Sequence, residues 1–126
     1  MSSFFLSKSK YLRGLQCRKS LWLTKEGKVK PQGPSESLQV TFDEGTRVGE
    51  EAQKLFPGGK LIKYDGSTFD EKIAKTKEWL ASGESTIYEA TFKFDDILVM
   101  VDILTKGRNG WEFYEVKSAA KVYKNK

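Results

Sequence analysis

The chain has no histidine and a single cysteine, Cys17, in 126 residues. Without histidine it lacks the commonest general base and the commonest zinc ligand, which excludes serine- or cysteine-hydrolase chemistry through an imidazole. One cysteine excludes an internal disulfide framework. No uninterrupted apolar stretch approaches the roughly 20 residues that span a bilayer, and Phe4-Phe5-Leu6 is too short for the apolar region of a signal peptide. These absences imply a cytoplasmic protein. Nor is there an internal repeat or a low-complexity tract. At this length one domain with a real core is expected, 1–126, and 38% hydrophobic residues gathered in clusters argue against disorder despite 31% charged residues.

The net charge of +5 is unevenly spread. Residues 1–30 carry eight Lys or Arg against one acid, residues 31–116 ten against sixteen, and residues 117–126 four against none. In the basic helical segment 1–30, Lys8, Lys10, Arg13, Arg18 and Lys19 lie near Tyr11 and Trp22, a pattern that can follow a phosphate backbone or simply face solvent.

The periodicity predicts two short helices, Ser7 to Gln16 with Ser7 as cap and Cys17 to Lys25 ended by Gly27, followed by a loop from Lys28 to Ser35. A longer helix runs from Ser35 or Ser37 to Phe56, with Val48, Gly49, Ala52, Leu55 and Phe56 at helical spacing and Pro57-Gly58-Gly59 as its stop. Gly45 and Gly49, four apart, suit a close helix approach. A short strand, Lys60 to Tyr64, precedes a helix from Phe69 to Leu80 capped by Thr68. Its stripe is Phe69, Ile73, Thr76 and Leu80, and its charged residues, Lys72 among them, look solvated. Three strands then form a β-meander: Thr86 to Phe94, Ile97 to about Lys106, and Trp111 to about Ser118. Residues 119–126 can start another helix.

Asp102 interrupts the apolar run Ile97 to Leu104, where a carboxylate is costly unless a hydrogen bond or a cation compensates it. A two-residue turn at Asn109-Gly110 sets Arg108 opposite Trp111, Asp102 opposite Lys117 and Leu104 opposite Glu115. Asp102 and Glu115 are then diagonal neighbours, roughly 7 to 8 Å apart at the backbone. A tight turn at Asp95-Asp96 pairs Phe94 with Ile97 and puts Glu89 opposite Asp102. Two or three carboxylates on one face suit a hard cation, Mg²⁺ or Mn²⁺, and Lys117 can orient a water or offset charge on a phosphate. The bland alternative is an Asp102–Lys117 ion pair with Glu115 in solvent.

Gly45-Thr46-Arg47-Val48-Gly49-Glu50 in the long helix, Val101-Asp102-Ile103-Leu104 in a strand and Glu115-Val116-Lys117 after the hairpin together resemble the PD-(D/E)XK nuclease superfamily. The resemblance is to its RecB-like branch, which includes the CRISPR-associated RecB-like exonucleases, and covers roughly residues 7–120. It implies an α/β, or α+β, restriction-endonuclease-like core, with a helix packed on a three-stranded meander over 36–118, and a metal-dependent nuclease acting on DNA. Asp102 and Glu115 would be metal ligands, with the Val116 carbonyl a third, and Lys117 the catalytic lysine. Glu89 and Glu50 are further candidates. The histidine that many relatives place four residues after a helix glycine is replaced by Gly49. The family's next helix and strand do not follow, so the chain looks like an N-terminal fragment of a longer protein or an unusually shortened homologue, whose missing elements belong to the longer protein or are supplied by a second copy. Tyr11 to Lys19 is similar to the upstream cysteine site of relatives that bind a 4Fe–4S cluster, but one thiolate cannot hold a cluster needing four ligands, so Cys17 is read as a free or buried thiol. The competing expectation is a non-catalytic nucleic-acid-binding or assembly module on the same fold.

Overall fold

The computed structural model describes residues 4–29, 33–63 and 65–119. Four helices and four strands follow in the order α1 (Lys8–Gln16), α2 (Arg18–Lys25), α3 (Glu36–Gln53), β1 (Lys60–Leu61), α4 (Phe69–Ala81), β2 (Thr86–Phe94), β3 (Ile97–Gly107) and β4 (Gly110–Tyr114). The protein is thus mixed α/β. Its sheet has the order β1-β2-β3-β4, with β1 parallel to β2 and the rest antiparallel. The three-stranded meander is present, and β1 extends it to four strands. The expected end of the first strand at Tyr64, and the helix start expected in 119–126 apart from Ala119, lie outside the described residues.

Local chemistry accounts for most of these elements. Ser7, Ser35 and Thr68 cap α1, α3 and α4, each accepting from the backbone N–H of the third helical residue. At α4 the cap is reciprocal, because the Glu71 carboxylate accepts the Thr68 N–H at 2.6 Å. α4 lies against β2. Its buried face is Lys72, Ile73 and Thr76, and the Thr76 hydroxyl accepts the Thr91 N–H at 3.0 Å, satisfying a strand donor beyond the end of β1. Lys72 therefore departs from the solvated role expected for it: it is only 5% exposed, with its ammonium 5.8 Å from the centre of the Phe69 ring. The core is Ile62, Ile87, Ala90 and Leu104, with Trp79, Leu80, Phe92 and Val101 packed around it.

α3 sits differently from the expectation. It ends at Gln53 rather than Phe56, buries no residue fully, and leaves Leu38, Val40 and Phe42 exposed, as is Leu55 just beyond its end. Its C-terminal end is pinned by Tyr88, whose phenol donates to the carbonyls of Phe56 and Gln53 and accepts the Gly59 N–H at 3.2 Å. Gly59 is required there, since a Cβ would overlap the Tyr88 ring. Phe56 also packs on Tyr114, ring centres 4.7 Å apart. Gly45 and Gly49 do not mark a close approach: a Cβ on either would meet nothing within 4 Å, because both face an open cleft.

The β3–β4 hairpin corrects the expected register by two residues. Gly107 pairs with Gly110, Lys106 with Trp111 and Leu104 with Phe113, so Arg108 and Asn109 are the turn residues and Gly110 follows them at φ 136°. Asn109 is not among the residues with positive φ, as an Asn-Gly type I′ turn would require. Continuing this ladder puts Asp102 opposite Glu115 instead of Lys117. Side chains alternate with a period of two, so a two-residue slip changes partners but preserves faces, and Asp102 and Glu115 remain on one side. β4 stops at Tyr114, short of the expected Ser118. The β2–β3 turn follows expectation, with Phe94 opposite Ile97.

Candidate functional site

Asp102 lies near the middle of β3, and its Oδ2 accepts the Val116 N–H at 2.7 Å. That bond supplies part of the compensation a half-buried carboxylate needs. It also fixes the chain just after β4, placing Glu115 and Lys117 on either side of the bonded amide. Glu89 stands opposite Asp102 in the β2–β3 register, between the Tyr88–Ile103 and Ala90–Val101 pairs. The strand ladder skips Glu89 itself, whose φ is 58°. For a residue other than glycine this left-handed backbone costs on the order of 1 to 3 kcal/mol and persists only where its surroundings impose it.

The charges are unequal. Burial and then the Asp102 charge push the Glu89 carboxyl above the usual carboxylate range, against a smaller opposing effect of Lys72. A carboxyl with a raised folded pKa contributes stability below its unfolded pKa and loses it as pH rises through the folded value. Glu89→Gln, which removes that charge and keeps the shape, is therefore expected to raise Tm at pH 7. The gain should disappear below about pH 4, where the carboxyl is largely protonated in both states; thermal melts across pH check this.

Glu115 behaves oppositely. Hydrogen bonds from Lys117 and then Lys8 hold its carboxyl down to about 2. Lys117 Nζ lies 2.8 Å from Glu115 Oε1, and Lys8 Nζ bonds the same oxygen. Lys117 is in turn raised by Glu115, so its amine stays an ammonium at neutral pH. The expected alternative of an Asp102–Lys117 ion pair is not formed. Lys117 pairs with Glu115, and Asp102 takes the amide between them.

Two clefts meet at this point. One, of about 410 Å³, runs between α3 and the sheet and is lined by Gly45, Gly49, Glu50 and Val116 together with Glu89 and Asp102. The other, of about 700 Å³, lies under α1 and is lined by Lys8, Leu12, Phe113, Glu115 and Lys117, again with Glu89 and Asp102. Of the sequence candidates, Asp102, Glu89, Glu115, Val116 and Lys117 converge here, and Glu50 faces them across the first cleft. Among the described residues, no three Asp, Glu, Cys or His side chains are grouped as a metal-holding set. The donor chemistry nevertheless suits a hard cation, since every carboxylate present is an oxygen ligand and the Asp102 charge disfavours ionisation of Glu89 more than Lys72 favours it.

The basic segment divides. Lys8 reaches the site. Lys10 donates to the Phe5 carbonyl at 2.9 Å, tying α1 to the segment before it, and Arg13 bonds Ser20 and Thr24 of α2 at 3.5 Å, so Arg13 serves the α1–α2 packing. Arg18 and Lys19 are exposed on α2. Cys17 is a free, exposed thiol at the junction of the two helices. Sequence reasoning placed Lys8 in a nucleic-acid patch but missed its contact with Glu115, which joins residues 107 positions apart and leaves no local signal. Among the described residues, no helix is long and apolar enough to cross a membrane. No family model, curated protein or solved structure matches the chain.

Proposed function

We propose that this chain is a metal-dependent nuclease domain that hydrolyses phosphodiester bonds of DNA, on a restriction-endonuclease-like core of the PD-(D/E)XK type with RecB-like character. One observation carries this reading: Glu89 and Asp102 face each other across β2 and β3, at the junction of two clefts, with Glu115 and Lys117 beside them. Keeping two carboxylates adjacent costs stability, and the left-handed backbone at Glu89 adds to that cost. Such expense is characteristic of functional sites.

Asp102 with Glu89 or Glu115 would hold Mg²⁺ or Mn²⁺, with the carbonyl of Val116, which lines the same cleft, as the further ligand the resemblance implies. A bound divalent ion supplies Lewis-acid polarisation of a phosphate oxygen and a water of lowered pKa. The chain's own groups do the rest. Val116 N–H orients the Asp102 carboxylate. Lys117, charged at neutral pH, offsets negative charge developing on the phosphate. Glu50, on the opposite wall, lies within the same cleft.

A cleavage assay on single- and double-stranded DNA with Mg²⁺ or Mn²⁺ tests the proposal. Lys117→Ala is expected to lower the rate by about a hundredfold or more with little change in melting temperature, because the side chain is 68% exposed. Equal rates in the two proteins would remove Lys117 from the chemistry. The second reading, a nucleic-acid-binding or assembly module without turnover, is favoured by one specific observation: Glu115 is already engaged by two lysines and Asp102 by an amide. Salt-sensitive DNA binding with no metal-dependent cleavage, unchanged by Asp102→Ala, would select it.

A further inference from the structure

Lys8 opens α1 immediately after the Ser7 cap and bonds Glu115 Oε1, the oxygen that Lys117 also holds. The N-terminal segment is brought there by backbone contacts. The Leu6 N–H donates to the Asp96 carbonyl at 2.7 Å, and the Leu6 carbonyl accepts the Leu98 N–H at 3.1 Å. Leu6 thus lies beside the start of β3, whereas β4 pairs only with residues 103–107 of that strand. The second cleft lies between these two stretches, with Lys8 on its rim.

The Lys8–Glu115 pair adds little to the fold, since its side chains stay 60% and 52% exposed. Two ammonium groups on one carboxylate oxygen also repel each other, and a single negative charge cannot neutralise both. A cation taking Glu115 would displace a lysine from it. A phosphate, with its own negative charge and several acceptor oxygens, would match the pair of ammonium groups.

We infer that Lys8 is a further substrate-binding residue: it occupies Glu115 until a divalent cation takes that carboxylate, then binds a backbone phosphate beside Lys117. This rests on the metal-dependent reading above. It requires opposite changes in two affinities. Lys8→Met removes a competitor for Glu115, so Mn²⁺ should bind about two- to fivefold tighter. The same variant should bind a phosphorothioate oligonucleotide, used to suppress cleavage, about tenfold more weakly in the presence of Mn²⁺. Lys8→Arg should restore oligonucleotide binding. Lys77→Met, which removes the same charge from an exposed position on α4, should leave Mn²⁺ affinity unchanged. Calorimetric titration with Mn²⁺ and fluorescence anisotropy of the oligonucleotide read these effects directly. If the wild type binds Mn²⁺ and Lys8→Met binds it no more tightly, the role of Lys8 is overturned while the metal site stands. If the wild type binds no Mn²⁺ at millimolar concentration, both fall.

Discussion

Replacing Asp102 with Asn is expected to lower metal-dependent DNA cleavage by about a hundred- to a thousandfold while the chain stays folded. The Asn amide oxygen can still accept the Val116 N–H that Asp102 takes at 2.7 Å, so the segment leading from Tyr114 to Lys117 keeps its anchor. What disappears is the negative charge, the property a hard cation requires. Rates measured at saturating Mn²⁺, with melting temperatures on the same samples, separate lost chemistry from lost structure. Cleavage within a few-fold of the wild type would mean that Asp102 compensates a strand amide and nothing more.

The largest effect on stability is expected at Ile87. Its side chain is 0% exposed and packs with Ile62, Ala90 and Leu104 where β1, β2 and β3 meet. Ile87→Ala removes three carbons from a position with no solvent to refill it, at an expected cost of about 2 to 5 kcal/mol. Urea unfolding should show this as a lower midpoint with an unchanged slope. Leu55→Ala is the comparison, since Leu55 is 78% exposed and its loss should change stability by about 0.5 kcal/mol or less. A similar loss at both positions would contradict the assigned core. Because Glu89 lies two residues after Ile87 on β2, Ile87→Ala is also expected to weaken any activity that depends on Glu89.

How much of this was legible in the sequence differs between local and distant interactions. Ser7 and Thr68 marked helix starts because a cap is a short-range hydrogen bond written in adjacent residues. The strand-like stretches Thr86 to Phe94 and Ile97 to Lys106 were readable from their β-branched, aromatic and apolar residues, and the Asp95-Asp96 turn indicated the β2–β3 pairing that brings Glu89 to Asp102. The Asn109-Gly110 signal misled, because Gly110 uses its freedom after the turn and not within it. That error changed the partner of Asp102 from Lys117 to Glu115 and left the face intact.

Other features depended on tertiary placement. Gly45 and Gly49 looked like packing glycines, but whether a small residue faces a neighbour or a cleft is decided by how α3 is held through Tyr88. Lys72 read as a surface charge because lysines usually are, and it was buried by the approach of α4 to β2. The two lysines on Glu115 could not have been anticipated together: Lys117 is two residues away in sequence, but Lys8 arrives through a backbone bridge at Leu6.

The central claim is that the Asp102 carboxylate, together with that of Glu89 or Glu115, binds a divalent cation. The most direct measurement is anomalous diffraction from crystals of the protein soaked in Mn²⁺. The account predicts a peak within ligand distance of an Asp102 carboxylate oxygen and of at least one oxygen of Glu89 or Glu115. Fully soaked crystals with no peak at Asp102, and Glu115 still held by Lys8 and Lys117, would contradict it.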